Sequence, residues 1–457
     1  MQTPTSPNSI ALTAALALAG LHTPSHAATL RVPDGFATIQ RALNAATSGD
    51  TLVIDGSVSP YDEAIRIDTS RLHEVTLAAH PAAPSPVISG DATTDPIITI
   101  DAASGAPATV RIRGVSIDGQ GKERYGIRAY TADYETDDVL LDLQLDSVAI
   151  RHCRIGMQIG TRTGAYRCDG NWGAVSEELL GQATSRVTVS GCSITSCLVD
   201  GMNLYRTTGG IYDTFIGFNG DEGVHMTAAE DFEVRHSIIV KNNNVGFHFQ
   251  LGSNVRFENC VVLGTEDPGY GLSIEGMRGS EPLRVYNNVF SWQHASGLKI
   301  SPVVLRLLDG NCEGVPVVAD VRNNIFADNG AGDESHEDLL FRDAEVPNTL
   351  LFARYNLFDR GSNEASNAML NNTNLFNADP GFVAELHADQ LPDVIPQSID
   401  VYSVAWAQLA GLGLADRSEA IDSGEPQADF EDEGGLARGS AVNDIGAFGG
   451  PNSDWGI

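Results

Sequence analysis

Short segments in which apolar and polar residues alternate recur along the middle of the chain. Each ends in a turn residue that is followed, three positions later, by another apolar residue. These turn residues are Gly114, Ser147, Gly191, Asp213, His236, Asn259, Asn287, Asn323 and Tyr355. From Gly191 to Asn259 the spacings are 22, 23 and 23 residues. Alternation with period two predicts strands with one buried face. A fixed period of roughly 20–25 residues predicts a solenoid in which neighbouring coils bury each other's apolar faces.

A second strand follows each of these turns and begins with Gly-apolar-x-apolar. Because side chains alternate along a strand, the x residues should share one outward face. These x residues are Arg128, Gln158, Asn203, His225, His248, Ser273 and Lys299. Coils of such a solenoid lie about 4.8 Å apart. We therefore expect His225 beside His248 on one exposed face, with Asn203 and Tyr205 one coil above and Lys299 two coils below. The longer segments 160–186 and 301–318 could border a groove on this face.

With this repeat, residues 30–360 resemble the right-handed parallel β-helix proteins of the pectin-lyase-like fold. The turn-and-strand segments 287–290 and 323–326 carry the resemblance most clearly. It implies an all-β solenoid of at least eight coils with a polar ladder inside, formed by the residues after each turn. The ladder residues are Cys192, Thr214, Ser237, Cys260, Asn288 and Asn324.

The predicted organisation has three parts, with boundaries after residues 27 and 360. Residues 1–27 lack Asp, Glu, Lys and Arg, contain the apolar run 10–21 and end in Ser-His-Ala, which together predict a cleaved secretory signal peptide. In the β-helix, 28–360, residues 36–46 have apolar positions at helical spacing and resemble the short helix that caps such solenoids. Residues 361–457 are acidic and resemble a C-terminal cap segment of secreted bacterial β-helices. We expect a secreted or cell-surface protein with no membrane span.

Charge narrows the range of partners. Lys and Arg number 28 against 60 Asp and Glu, which gives a net charge of −32. This balance argues against nucleic acid and anionic membranes as partners, and it fits divalent cations, neutral or cationic ligands, or a salty environment. Asp429, Glu431 and Glu433 before a glycine resemble a calcium loop, although Ser440 stands where a bidentate Glu is expected. A solvated acidic loop is the alternative. No organic cofactor is expected.

The outward face suggests uronate elimination, which needs three groups. Asn203 or Arg206 could neutralise the sugar carboxylate. His225 or His248 has the near-neutral pKa suited to a base. Tyr205 or Lys299 could protonate the leaving oxygen. The alternative is that these positions are polar only because they face solvent.

Three acidic residues form a competing hypothesis. Asp200, Asp221 and Glu222 precede glycines one coil apart and resemble the carboxylate motifs of polygalacturonase-type hydrolases. Glycoside hydrolysis uses two carboxyl groups, and adjacent coils could supply them. The resemblance is incomplete, because Tyr270 stands where those enzymes have a histidine. Acidic residues before glycine are also ordinary turn chemistry.

Two cysteines share one offset in consecutive coils, which predicts a Cys153–Cys197 disulfide. Cys168 and Cys312 lie in the longer segments, and their state is left open. Taken together, these features predict an extracellular polysaccharide-acting protein, a lyase or less favourably a hydrolase. The competing prediction is a non-catalytic surface or adhesion β-helix that binds glycans. The polymer and the oligomeric state are left open.

Overall fold

The computed structural model of the chain describes most of the solenoid and parts of the tail. The described residues are 27–90, 95–102, 107–131, 140–160, 183–265, 269–277, 281–306, 312–330, 338–341, 346, 348–359, 369–370, 372–383, 413–427, 432, 440 and 442–450. The predicted signal peptide and the acidic loop at 429–433, except for position 432, lie outside this set.

The N-terminal end of the solenoid is covered by the α-helix Ile39–Ala45, as predicted. Thr38 begins the helix, because its side chain accepts a hydrogen bond from the Arg41 N–H. The Glu63 carboxylate accepts from the N–H groups of Ile39 and of the next residue, at 2.8 and 3.0 Å, and so satisfies donors that a helix start leaves open. A 3₁₀ turn follows at Gly56–Val58. No helix in the described part of the chain is long and apolar enough to cross a membrane.

The strands form a parallel β-helix with three sheets along its length. The first sheet contains Thr29–Val32, Thr51–Ile54, Glu74–Ala79, Ala108–Arg113, Leu141–Asp146, Ser185–Ser190, Thr207–Tyr212, Glu230–Arg235, Leu283–Tyr286, Val318–Arg322, Leu350–Arg354 and Met369–Leu370. The second contains Val87–Ile88, Ser116–Asp118, Ala149–Arg151, Ser193–Thr195, Phe215–Gly217, Ile238–Val240, Val261–Leu263, Val289–Ser291, Ile325–Ala327, Leu357–Phe358 and Leu375–Phe376. The third contains Ile65–Asp68, Ile98–Ala102, Tyr125–Thr131, Ile155–Ile159, Met202–Tyr205, Val224–Thr227, Tyr270–Met277, Leu298–Ser301 and Leu339–Phe341.

One long strand, Val245–Glu258, starts in the third sheet and ends in the first. The 11 described strands of the second sheet confirm the expected minimum of eight coils. Antiparallel pairing is confined, among the named strands, to the hairpin Val303–Arg306 with Cys312–Val315.

The predicted turn residues lie at the corner between the first and second sheets. Each of them has a positive φ, from 46° at His236 to 65° at Gly114. Glycine, asparagine and aspartate tolerate this left-handed backbone best, which explains why they recur at this position. Each coil needs one residue that tolerates a positive φ at this corner, and these residues mark the repeat in the sequence.

Inside the solenoid, the predicted polar ladder is present. The backbone N–H of each ladder residue donates to the side chain of the next coil, as from Cys260 to Asn288 at 2.9 Å and from Asn288 to Asn324 at 2.9 Å. The ladder continues to Asn356 and Asn374. Beside it, phenyl rings stack with centroids 5.0 to 6.2 Å apart. They belong to Phe257, Phe290, Phe326, Phe358 and Phe376.

The predicted Cys153–Cys197 disulfide is absent, and both residues are buried free thiols. They stack on consecutive coils as expected, since the Leu198 N–H donates to the Cys153 carbonyl. Parallel stacking keeps successive Cβ atoms about 4.8 Å apart, whereas disulfides need about 3.8 Å. Instead, the Cys197 N–H donates to Asn219 Oδ1 at 3.0 Å, so Cys197 belongs to a second internal ladder that continues to Asn242.

The C-terminal segment 361–457, predicted as a cap, is described only in part, and the described residues have two roles. Coil stacking continues past residue 360 to Leu375–Phe376. The described tail residues then lie along the outer face of the second sheet. There Ile445 and Phe448 pack in one apolar cluster with Val289 and Ile325. The tail also bonds to the corner asparagines of three successive coils, Asn259, Asn287 and Asn323.

Candidate active site

The outward residues of the third sheet stack in the register that the sequence indicates. Asn203 pairs with His225, His225 with His248, His248 with Ser273 and Ser273 with Lys299. In the next outward row, Tyr205 stands above Thr227. The strand spacing therefore brings all five predicted lyase residues onto one face.

This face is mostly buried, in contrast to the exposed surface that we expected. Asn203 and Tyr205 are only 7% and 5% exposed. The side chains of His225 and His248 are 19% and 12% exposed. Successive side chains cover one another, because the ring centroids of the two histidines are 5.1 Å apart and those of Tyr205 and His225 are 6.3 Å apart.

Glu222 joins the histidines, so the two competing sets of residues form one cluster. It lies in the turn just before Gly223 and the strand Val224–Thr227. Its Oε2 atom is 2.6 Å from His225 Nδ1, and its Oε1 atom is 2.9 Å from His248 Nδ1. A single carboxylate therefore orients two imidazoles on consecutive coils.

These contacts change the protonation of both partners. Burial tends to raise the pKa of Glu222, but the charge of His248 and the hydrogen bonds from the two histidines outweigh it and lower the pKa to about 2. Burial tends to lower the pKa of His248, but the Glu222 and Glu275 carboxylates raise it to about 9. Glu222 is thus ionised and His248 positively charged at neutral pH.

Asp200 and Asp221 have separate places in the structure. Asp200 Oδ1 accepts a hydrogen bond from the Glu222 backbone N–H at 3.1 Å. Burial, and next the charge of Glu222, raise the pKa of Asp200 to about 6. Asp221 instead accepts from Asn244 Nδ2 at 3.1 Å, on the following coil. Of the three predicted acidic residues, Asp200 and Glu222 therefore belong to the cluster, whereas Asp221 does not.

Glu275 belongs to the cluster although it was not among the predicted site residues. Its Oε1 atom is 3.1 Å from Lys299 Nζ, and its Oε2 atom accepts from Gln250 Nε2 at 3.1 Å and lies 3.6 Å from His248 Nε2. It occupies the outward position two residues after Ser273 and directly below Gln250. Period-two alternation places it on this face, so the signal was present in the sequence.

Three of these groups present metal-binding atoms to one another. One ligand atom from each of Glu222, His225 and His248 lies within 4.8 Å of the other two. Imidazole nitrogen and carboxylate oxygen suit zinc and related ions. The predicted calcium residues Asp429, Glu431 and Glu433 lie outside the described residues.

One known protein family matches part of this chain. The family described as a right handed beta helix region matches residues 179–333, which include the strands of the cluster. The chain is accordingly a right-handed parallel β-helix. No curated protein matches it by sequence.

Several solved structures share the architecture at low identity. Pectate lyase Pel9A is 12% identical with a TM-score of 0.44, over 93% of this chain and 96% of that one. XylC in complex with xylose is 10% identical with a TM-score of 0.49, over 78% and 87%. The A-module of the Azotobacter vinelandii mannuronan C-5 epimerase AlgE6 is 15% identical with a TM-score of 0.45, over 74% and 92%. At such identities the likeness concerns the fold alone.

Proposed function

We propose that this β-helix is a secreted polysaccharide-acting enzyme that cleaves a uronate-containing polymer by β-elimination. The observation that carries the proposal is the contact of one carboxylate, Glu222, with Nδ1 of both His225 and His248. An ionised carboxylate only accepts hydrogen bonds, so Nδ1 of each ring carries a proton. With Nδ1 of His225 protonated, the lone pair that could act as a base is on Nε2. A base oriented in this way recurs in enzymes that abstract protons.

The neighbouring residues supply the other two requirements of elimination. Positively charged His248 neutralises the uronate carboxylate and so acidifies the C5 proton. His225 Nε2 takes this proton, and the released electron pair forms a double bond between C4 and C5 while the bond from C4 to the glycosidic oxygen breaks. The leaving oxygen receives a proton from Lys299 or Tyr205. Glu275, which binds Lys299 at 3.1 Å, keeps that ammonium beside His248.

Hydrolysis is a second candidate, favoured by the two carboxyl groups on consecutive coils. Asp200 Oδ1 accepts from the Glu222 backbone N–H, and both side chains are buried. A hydrolase would use one as acid and the other as base or nucleophile. We favour elimination because both oxygens of Glu222 already contact histidine nitrogens.

The test is incubation of the purified protein with pectate, alginate and neutral glycans, each with and without calcium. Elimination predicts that ultraviolet absorbance from unsaturated ends and the number of reducing ends rise together on a uronate polymer. Reducing ends without absorbance would indicate hydrolysis instead. A third outcome is that neither signal rises, while a polymer in the gel still slows the protein in affinity electrophoresis. The chain would then be a non-catalytic glycan-binding β-helix. His225→Gln is the matched inactive control.

A further inference from the structure

The cluster around Glu222 has the donor set of a transition-metal site. His225 Nδ1 and His248 Nδ1 are 2.6 and 2.9 Å from the two oxygens of one carboxylate. Within the described part of the chain, this is the one group of three such ligands that converges. We propose that Glu222, His225 and His248 bind a divalent transition-metal ion of the zinc type through the carboxylate and both Nδ1 atoms, each imidazole then carrying its one proton on Nε2. Three protein ligands leave a fourth position open, as in catalytic zinc sites.

The spacing of these atoms suits such an ion. Zinc bonds of about 2.0–2.1 Å in a tetrahedron place neighbouring ligand atoms about 3.3 Å apart. The two nitrogen–oxygen contacts would therefore widen by less than about 1 Å. Glu222 can provide that movement because it lies in a turn, whereas both histidines are fixed on strands.

The second nitrogen of His225 has a hydrogen-bond partner, and that of His248 lies near a carboxylate without bonding to it. His225 Nε2 is 3.2 Å from Thr227 Oγ1, and His248 Nε2 is 3.6 Å from Glu275 Oε2. Metal-ligating histidines commonly hold their other nitrogen in this way, which fixes the ring and the tautomer. Asp200 accepts from the Glu222 backbone N–H and so helps to fix the turn that carries the third ligand. The outer shell of a metal site is thus in place around His225, and Glu275 lies close to the second nitrogen of His248.

An unused oxygen lies next to the cluster. Asn203 Oδ1 is buried and accepts no hydrogen bond from the described residues. Asn203 pairs in register with His225 on the preceding coil. A buried carbonyl oxygen without a partner costs free energy, and a bound metal ion or its water would satisfy it.

The donor set also discriminates between metals. Calcium takes six to eight oxygen ligands, whereas this cluster offers two imidazole nitrogens and one carboxylate. Imidazole favours zinc, copper, iron and nickel over calcium and magnesium. The proposed site is therefore distinct in both place and chemistry from the calcium loop predicted at residues 429–433.

Metal binding and the proposed proton abstraction exclude each other. An imidazole bonded to a metal through Nδ1 keeps its proton on Nε2, so metal-loaded His225 cannot act as a base. The metal site does not rest on the proposed elimination, because binding can be measured without any substrate. If both proposals hold, a chelator should increase the elimination rate and zinc should suppress it.

The experiment is calorimetric titration of chelator-treated, dialysed protein with Zn²⁺, Co²⁺ and Ca²⁺, together with metal analysis after a second dialysis. We expect about one equivalent of Zn²⁺, visible absorption from tetrahedral Co²⁺, and no competition by Ca²⁺. His248→Ala and Glu222→Gln should weaken Zn²⁺ binding by more than about tenfold, and Thr227→Val by about 10–100-fold. His236→Ala is the control, because His236 also faces a carboxylate, that of Asp213 at 3.5 Å, but lies at a different corner.

Substoichiometric zinc in the wild-type protein, or equal affinity in the wild type and in the His248 and Thr227 variants, would overturn the proposal. So would Ca²⁺ binding that displaces zinc. Thr227→Val retains all three ligands and so keeps the test decisive if Glu222→Gln fails to fold, which circular dichroism would reveal.

Discussion

Glu222 Oε1 lies 2.9 Å from His248 Nδ1, although 26 residues separate them in the chain. The same carboxylate contacts His225, three residues away. The two histidines are neighbours because the coil repeat places them in register, whereas Glu222 reaches both from the turn between two sheets. The cluster therefore depends on a strand register and on one turn side chain together.

Replacement of His225 tests the proposed base. If it removes the C5 proton, His225→Ala should lower the elimination rate on the cleaved polymer by about 10²–10⁴. Gln158→Ala is the control, because Gln158 lies in the same outward row two coils away. Initial rates for both variants, together with thermal melts, provide the measurement. A His225 variant that keeps its rate within about threefold would rule out this role.

Much of this face could be predicted from the sequence, because its order depends on one period. Alternation along each strand and a spacing of 22 or 23 residues suffice to stack Asn203, His225 and His248. The same rule does not set the direction of a side chain in a turn. The sequence identifies Glu222 as a candidate from its position before a glycine. It does not predict that the Glu222 side chain contacts the histidines. Burial of the face also depends on side-chain packing, about which alternation says nothing.

The glycine that opens most third-sheet strands should tolerate no side chain. A Cβ atom on Gly246 would lie 2.5 Å from the Gly271 carbonyl oxygen and 3.1 Å from two core methyl groups. We expect Gly246→Ala to lower the free energy of unfolding by about 1–3 kcal/mol through overpacking. Gly121→Ala, which meets nothing within 4 Å but has a φ of +68°, should show only the backbone cost of about 1 kcal/mol. Equal losses in chemical denaturation would refute the packing explanation.

The internal ladder should make Asn324 a strong determinant of stability. Its Oδ1 accepts from the Asn288 backbone and side chain at 2.9 Å, and its Nδ2 donates to Asn356 Oδ1 at 2.9 Å. Asn324→Ala leaves the buried Asn288 N–H without its acceptor, so we expect a loss of about 1–3 kcal/mol in the free energy of unfolding. The exposed Asn372→Ala should change it by less than about 0.5 kcal/mol. Denaturant titration of both variants gives their free energies of unfolding. A large loss at position 324 with little change at 372 assigns the effect to the ladder, whereas similar losses would contradict it.

The described tail residues cover the outer face of the second sheet, which the sequence did not predict. The second-sheet strands Val261–Leu263 and Ile325–Ala327 are buried along their whole length, including their outward residues. A strand buried on both faces needs a cover, and the tail provides it. In the sequence, the buried second-sheet strands are unbroken runs of apolar residues, which indicates that something covers them. The runs alone do not show which segment of the chain does so. That identification depends on distant contacts, such as the one between Arg322 and Glu425 at 2.8 Å.

The buried thiols should be unreactive in the native protein. Burial raises the pKa of Cys192 and of Cys197 to about 12 and also raises that of Cys153, so almost no thiolate exists at neutral pH. We expect iodoacetamide to label these three cysteines only after denaturation, as read by peptide mapping. An unreduced peptide that links Cys153 to Cys197 would show that the disulfide forms after all.

Stability at acid pH should depend on Asp50, which joins Ala28, just before the first strand, to the residues after the cap helix. Its carboxylate accepts from the N–H groups of Ala28 and Thr47, both at 2.7 Å, and from Thr47 Oγ1 at 3.0 Å. Burial tends to raise the pKa of Asp50, but these hydrogen bonds outweigh it and hold the pKa below the usual 3.8. A lowered pKa in the folded state means that the ionised form stabilises the fold.

This contribution is complete above the pKa of the unfolded chain, about 3.8, and is lost as the pH falls through the lower pKa of the folded state. Asp50→Asn should therefore lower the free energy of unfolding by about 1–3 kcal/mol at neutral pH. The difference from wild type should shrink below about pH 4, where Asp50 itself becomes protonated. Denaturant titrations at several pH values measure it, with the exposed Asp34→Asn as control. A difference that stays constant from neutral to acid pH would show that the charge of Asp50 contributes nothing, and that its effect comes from the geometry of the loop alone.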